Sequence, residues 1–395
     1  MLAYISVVVR DYVTYGLATS HRRHAIEQAV ALDSSNAAYR DSLGSYLMFS
    51  ERRFDLAIPQ YRSAVALNPH DADYWLDLAR AYAFTGAHEQ QKLALERALE
   101  VDPNTPEVCW QVANAFLFRG DLKKGFAIFR HLLEADTQHV KPALQICWHA
   151  TYDIDMMSQV LPPTPTVYLE FLKLLIVEGQ TDAAERTWSR LVALQQPFDP
   201  QLATAYLEYL IARHDVDGAR AAWNDLGRIE PSFQPYLSSD GNLVANGGFE
   251  EKILNMGFDW RYAVNPHITL ARDAEQFHGG RHALSVTFDG QAVVDTGLSQ
   301  FIVVGADTLY DFSAYVKTDD ISAAHGPQFV ISDAYTGKPF LLTEEFMGTT
   351  SWRQVSGSFK TGPNTGLLSL KILRAPGTEP IIGRLWIDDV VLARQ

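Results

Sequence analysis

Three residues, Leu78, Tyr82 and Gly86, return 34 positions later as Val112, Phe116 and Gly120. A fixed period of this length marks stacked helical hairpins, each of which hides its apolar face only against its neighbours. Such an array offers a surface more readily than a reaction chamber. Near Gly241 the period ends, and a stretch rich in Gly, Thr and β-branched residues follows to Gln395. The chain of 395 residues is therefore expected to be an α-solenoid followed by a β-sandwich, long enough for about two or three domains with real cores.

Composition narrows the partners. A hydrophobic share of 47% and an aromatic share of 11% belong to a folded chain. The net charge of −14 disfavours sequence-independent binding to nucleic acid, which needs clustered Lys and Arg against phosphates. It disfavours an anionic membrane surface for the same reason. Two cysteines, Cys109 and Cys147, exclude a disulfide framework and leave too few thiols for a zinc site. Met1 to Val9 are largely apolar, but too short to span a bilayer and without a small-residue cleavage site. They read as the first helix of the array or as the tail of a longer anchor, through which membrane association would arise.

Within Asp73–Pro103, Trp75, Leu78, Ala79 and Tyr82 follow i, i+3, i+4 and i+7, one face of a helix. Gly86 breaks that helix, Leu95, Ala98 and Leu99 form the inner face of a second, and Pro103 closes the unit. The preceding copy carries Leu43-Gly44, Ala57, Tyr61, Ala64 and Pro69, with one extra residue between its helices. The following copy carries Val112-Ala113, Phe116, Gly120, Gly125 and Phe129, with Thr137 where proline would stand. Residues 25–32 are a half-copy; past Lys141 the pattern degenerates, and Leu161-Pro162-Pro163-Thr164-Pro165 interrupts it. Two further hairpins carry Ala184 with Trp188 and Ala219 with Trp223.

These landmarks resemble the tetratricopeptide repeat over roughly residues 20–235, weakest at 140–165. The resemblance implies a domain at 1–238 whose inner helices line a groove for a protein partner. The position two residues after the repeat's aromatic points into that groove, which implies Phe84, Phe118 and, in the preceding copy, Phe49. Trp110 and Asn114 should share the wall. Apolar groove residues suit an apolar peptide or helix. The paired Lys and Asn of chaperone-tail-binding repeats are missing.

From Asn242 onward, strand-like runs at 309–317, 328–331, 354–359 and 367–372 are separated by breaks such as His278-Gly279-Gly280 and Thr361-Gly362-Pro363-Asn364. Asn246-Gly247-Gly248-Phe249-Glu250 opens the region and Leu385-Trp386-Ile387-Asp388-Asp389-Val390 closes it. Between these motifs, the order of Gly257-Phe258-Asp259-Trp260, Gly280–Val286 and Trp352-Arg353-Gln354-Val355 resembles carbohydrate-binding jelly rolls over 242–395. That resemblance implies a structural Ca²⁺ held by Glu250 and Asp388, with Asp389 as the alternative, hard oxygen ligands of the kind this ion takes. It also implies polysaccharide as a ligand. The candidate aromatic platforms are Trp260, Tyr262, Tyr335 and Phe346, of which Trp260, like Trp352, also falls at a packing position of the family.

Motifs for chemistry are missing from the sequence: there is no G-x-G-x-x-G, phosphate loop, G-x-S-x-G or H-E-x-x-H. His21 and His24 share a helical face without a third ligand, and His278 and His282 flank a Gly-Gly turn. Glu344-Glu345 and Asp319-Asp320 sit at strand edges, and nothing nominates two acids across a cleft. The sequence reads as a non-catalytic binding scaffold, in a bacterial envelope setting such as surface-polysaccharide assembly or export. The rivals are a cytoplasmic scaffold with a purely structural β-domain and an unrecognised polysaccharide-acting enzyme.

Overall fold

The computed structural model describes residues 11–20, 22–135, 138–239 and 241–395. Met1–Val9, His21, Thr137 and Asp240 lie outside the described residues. The chain divides into two compact units between Phe171 and Leu172.

In the first unit, Arg23–Leu32 precedes three helical hairpins. Their inner helices are Ala37–Ser45, Ala72–Phe84 and Pro106–Phe118, and their outer helices Phe54–Leu67, His88–Val101 and Leu122–Ala135. Asn36 and Asp71 cap inner helices with their side chains, and Pro106 occupies a first turn, where its missing N–H costs nothing. Short side chains set the spacing within each hairpin. A Cβ on Gly44 would lie 2.9 Å from the Tyr61 ring, and one on Gly125 would lie 2.5 Å from Leu117 Cδ2. Tyr61, Phe116 and Phe129 fill the spaces so defined and are fully buried. Trp75 is only partly buried; its indole donates to the Pro69 carbonyl at 3.0 Å.

Five hairpin turns among the described residues each pass through one left-handed residue. Gly86, Gly120 and Gly179 supply it at φ of 71°, 80° and 68°, where glycine meets no Cβ penalty. In two other turns a side-chain-bearing residue takes the same conformation: Arg52 at 54° and His214 at 64°. The extra residue of the first hairpin is absorbed as a π-helical last turn, Tyr46–Ser50. There the amide of Arg53 reaches back to Leu47 O at 2.8 Å, one residue further than the bonds Ala87 to Tyr82 and Asp121 to Phe116. Past Lys141, Val140–Thr151 ends on Tyr152 in the left-handed region, and Ile154–Met157 follows, capped by Asp153. Pro165 then starts the helix Pro165–Val177, which contains the division between the units.

The second unit continues with Thr181–Ala193 and the hairpin Thr204–Ala212 and Val216–Ile229. A buried bond from Trp188 Nε1 to Asp225 Oδ2, 2.9 Å, links the outer helices. The chain then enters the sandwich through a backbone bridge between Ser239 and Asn242. Ten strands follow: β1 Arg261–Tyr262, β2 Ile268–Asp273, β3 Ala283–Asp289, β4 Asp295–Val303 and β5 Leu309–Ser322. The remainder are β6 Gln328–Asp333, β7 Pro339–Leu342, β8 Gly348–Lys360, β9 Leu367–Leu373 and β10 Ile382–Arg394. They make two antiparallel sheets in the orders β1-β4-β9-β6-β7 and β2-β3-β10-β5-β8. Alternate residues of each strand point inward, as in β5, where Tyr310, Phe312, Ala314 and Val316 are buried. The opening motif lies along the last strand, with Val390 N donating to Gly247 O at 2.9 Å. A Cβ on Gly247 would sit 2.2 Å from the Val390 carbonyl, so the approach demands glycine.

Candidate binding surfaces

The inner helices of the first unit carry an exposed aromatic row. Phe49, Phe84 and Phe118 are 58%, 60% and 96% exposed. Phe84 stacks on Phe54 at 5.1 Å, and the Arg80 guanidinium lies over Phe49 at 6.0 Å. Beside Phe118, a notch of about 380 Å³ opens between two inner helices, floored by Leu76, Ala79, Ala83, Leu95 and Ala115. Asn114 lines it and bonds back to Trp110 O at 2.8 Å. Trp110 is half-buried, edge-on to Phe129 at 5.5 Å, and does not line the notch. Polar groups missed by the sequence reading share the wall: Arg80, Gln91 and Gln111. Their positions, one repeat apart in the case of Arg80 and Asn114, were the available signal.

An acid pair stands at the other end of this row. Asp41 and Asp77, on neighbouring inner helices, interact directly, and Asp77 binds Arg80 at 2.6 Å. Burial raises the Asp41 carboxyl to about 8, and the charges of Asp77, Asp71 and Asp73 add to the shift. Burial also raises Asp77, against the opposing pull of Arg80.

In the sandwich, the four candidate glycan platforms separate. Trp260 and Phe346 are fully buried. Trp260 stacks on Phe249 at 5.0 Å and Phe346 packs edge-on to Phe329 at 5.7 Å, so neither has a face for a sugar. Tyr335 is used internally: its ring stacks on His214 at 3.7 Å and its hydroxyl donates to Ile211 O at 2.9 Å. Tyr262, 41% exposed, stands between two clefts of about 490 Å³ each. One has an apolar floor of Phe249, Ile253 and Leu270 rimmed by Lys252 and Arg272. The other is polar and includes Glu208, Asn255, Arg261, Ser299 and Lys371.

Glu250, Asp388 and Asp389 converge around Gly248, but their oxygens face N–H donors. Fully buried Asp388 accepts from His278 N at 2.8 Å and Gly279 N at 3.0 Å through Oδ2, and from Asp389 N at 2.7 Å through Oδ1. Glu250 Oε1 accepts from Arg281 N at 2.6 Å and His282 N at 3.1 Å. Burial would raise the Glu250 carboxyl, yet these amides and His282 hold it below its usual range. Asp389 Oδ2 is 2.7 Å from His278 Nδ1. Among the described residues no group of three His, Cys, Asp or Glu side chains is placed to hold a metal. Asp388 and Glu250 Oε1 thus already accept from backbone amides, so the Ca²⁺ expected from the sequence would have to share or replace those contacts.

Residues 48–108 match the tetratricopeptide repeat family. Pseudomonas aeruginosa PilF is similar at 16% identity over 56% of this chain and 94% of its own, with a TM-score of 0.29. The C-terminal sandwich resembles carbohydrate-binding modules. A CBM4 module is 14% identical over 38% of this chain and 99% of its own, with a TM-score of 0.30. TmCBM61, solved with β-1,4-galactotriose, is 19% identical over 39% and 99%, with a TM-score of 0.29. No curated protein matches the chain in sequence. No helix among the described residues is long and apolar enough to cross a membrane.

Proposed function

We propose that this chain is a non-catalytic binding scaffold. Its repeats take an apolar segment of a protein partner, and its sandwich takes glycan beside Tyr262. The observation that carries the first half is the row of largely exposed phenylalanines, Phe84 and Phe118 at the ends of two inner helices and Phe49 in the π-helical turn that follows the first. The second half is supported by Tyr262, an exposed ring flanked by hydrogen-bonding groups in the polar cleft. A setting in surface-polysaccharide assembly or export would give both ligands a common place.

A peptide library displayed against the full chain tests the first half. Retained peptides should be lost from the triple variant Phe49→Ser, Phe84→Ser, Phe118→Ser; retention unchanged by that variant would remove the groove from the mechanism. A glycan array tests the second half, with Tyr262→Ala expected to abolish whatever class the wild type binds. A blank array with correctly folded protein favours the second reading, in which the sandwich is structural. That reading draws on Tyr335, His214 and the Arg261–Glu208 ion pair, which fasten the sandwich to the last hairpin.

A further inference from the structure

Tyr262 separates two clefts of equal size and opposite character. In the polar one each cation has its acid: Arg261 pairs with Glu208, and Lys371 Nζ lies 3.6 Å from Asp295 Oδ2. In the other, the charged side chains are Lys252 and Arg272, both cations. Among the described residues neither forms an ion pair. Arg272 reaches only the imidazole of His282, at 3.4 Å, and Lys252 is engaged only through its carbonyl, which accepts from the Tyr236 hydroxyl. Acids stand on the far side of the two cations, where Glu250 and Glu251 line an adjoining depression, and Glu250 Oε1 is taken there by the amides of Arg281 and His282. The floor of the cleft is hydrocarbon. Leu270 on the edge strand β2 and Ile253 ahead of β1 are partly buried against the sandwich core, beside fully buried Phe249 and Leu284. Apart from the Tyr262 phenol, the lining has no hydroxyl, amide or carboxyl side chain.

We propose that this cleft is a second ligand site and that it takes an acyl carboxylate, with the chain on Ile253 and Leu270 and the head against Arg272 and Lys252. The site goes beyond the glycan reading, which uses the polar cleft on the other side of Tyr262. A sugar ring in this cleft would leave most of its hydroxyls without partners, a cost that a hydrocarbon chain avoids. The volume of about 490 Å³ falls within the range of small-molecule sites, which are mostly apolar with a few placed polar groups. The guanidinium fork of Arg272 matches the two oxygens of a carboxylate, and Lys252 adds a point charge. Chain burial supplies most of the affinity, while the rim cations, being solvent-exposed, fix orientation and add a modest preference for an anion.

The test is calorimetric titration of the full-length protein with acetate, hexanoate, octanoate, decanoate and the neutral decanol. Acetate should not bind, and affinity should climb with chain length by up to roughly fourfold per methylene. Decanoate should bind about fivefold more tightly than decanol. The double variant Lys252→Gln, Arg272→Gln changes two exposed side chains and should keep the fold; it should bind decanol as the wild type does and lose the preference for decanoate. Leu270→Ser should weaken both ligands together. Equal affinity for decanol and decanoate, a preference that survives in the double variant, or no binding at any chain length would overturn the proposal. Decyl phosphate binding more tightly than decanoate would overturn the carboxylate head. Glycan-array binding that disappears in the double variant would give the cleft to a glycan and overturn the proposal while leaving the glycan reading in place.

Discussion

Gly257 offers a sharp test of how the last hairpin and the sandwich are joined within the second unit. Its φ is +53°, and a Cβ there would lie 2.3 Å from Trp223 Cζ3 and 2.6 Å from Cε3. The indole has nowhere to retreat. It is 3% exposed, wedged edge-on between Phe233 at 4.6 Å and Phe258 at 5.7 Å, and its Nε1 donates to Tyr236 O at 3.2 Å. Gly257→Ala therefore carries two costs: about 1–2 kcal/mol for an L-residue in the left-handed region, and about 1–3 kcal/mol for forcing atoms into a packed site. Gly337 isolates the first cost, since its φ is +69° and nothing lies within 4 Å of its Cβ position. Gly257→Ala should thus lose roughly 2–5 kcal/mol and Gly337→Ala roughly 1–2 kcal/mol. Urea unfolding of both variants, followed by tryptophan fluorescence, measures the difference. At roughly 2–4 °C per kcal/mol for a unit of this size, melting temperatures would separate as well. Equal losses in the two variants would refute the close packing of Trp223 on Gly257.

The buried Asp259 should make stability depend on pH. Burial pushes its carboxyl up to about 7, so between about 4 and 7 the folded chain holds a proton that the unfolded chain has released. Its contribution is full below the unfolded value and is lost as pH rises through 7. Asp259→Asn should flatten the wild type's loss of stability between pH 5 and 8, and a steeper or unchanged slope would contradict the assignment. Saturating calcium, or its removal by chelator, should leave the melting temperature of the full chain unchanged. A rise of several degrees with calcium would show that the carboxylates of Glu250 and Asp388 turn away from the loop amides to receive it.

Much of the architecture was legible because it rests on local periodicity. The recurrence of Leu78, Tyr82 and Gly86 at Val112, Phe116 and Gly120 encodes helix, turn and helix within 34 residues. The runs at 309–317 and 367–372 likewise declare β5 and β9 through their alternation. The unseen features depend on distant partners or on conformations sequence reports weakly. Phe346 sits outside any strand, so no alternation betrayed its burial. Tyr335 is spent on a carbonyl 124 residues away. The left-handed Arg52 and its π-turn were hidden because an extra residue can enter a hairpin at several places, and only packing around Tyr61 selects one. The acid pair escaped for a related reason: Asp41 and Asp77 occupy different positions in their helices, and only the stacking of those helices brings them together.

The clasp around His214 also bears on how such a chain can lengthen over evolutionary time. Repeat arrays grow by duplicating hairpins, and each new copy needs an open apolar flank on which to settle. On the hairpin Thr204–Ala212 and Val216–Ile229, Trp223 is already covered by Phe233, Gly257 and Phe258, and the turn residue His214 by Tyr335. A duplicate inserted after Ile229 would have to evict all of them at once. Gain or loss of repeats in descendants of this sequence is thereby confined to the region before that hairpin, and the sandwich travels with it as a single heritable block.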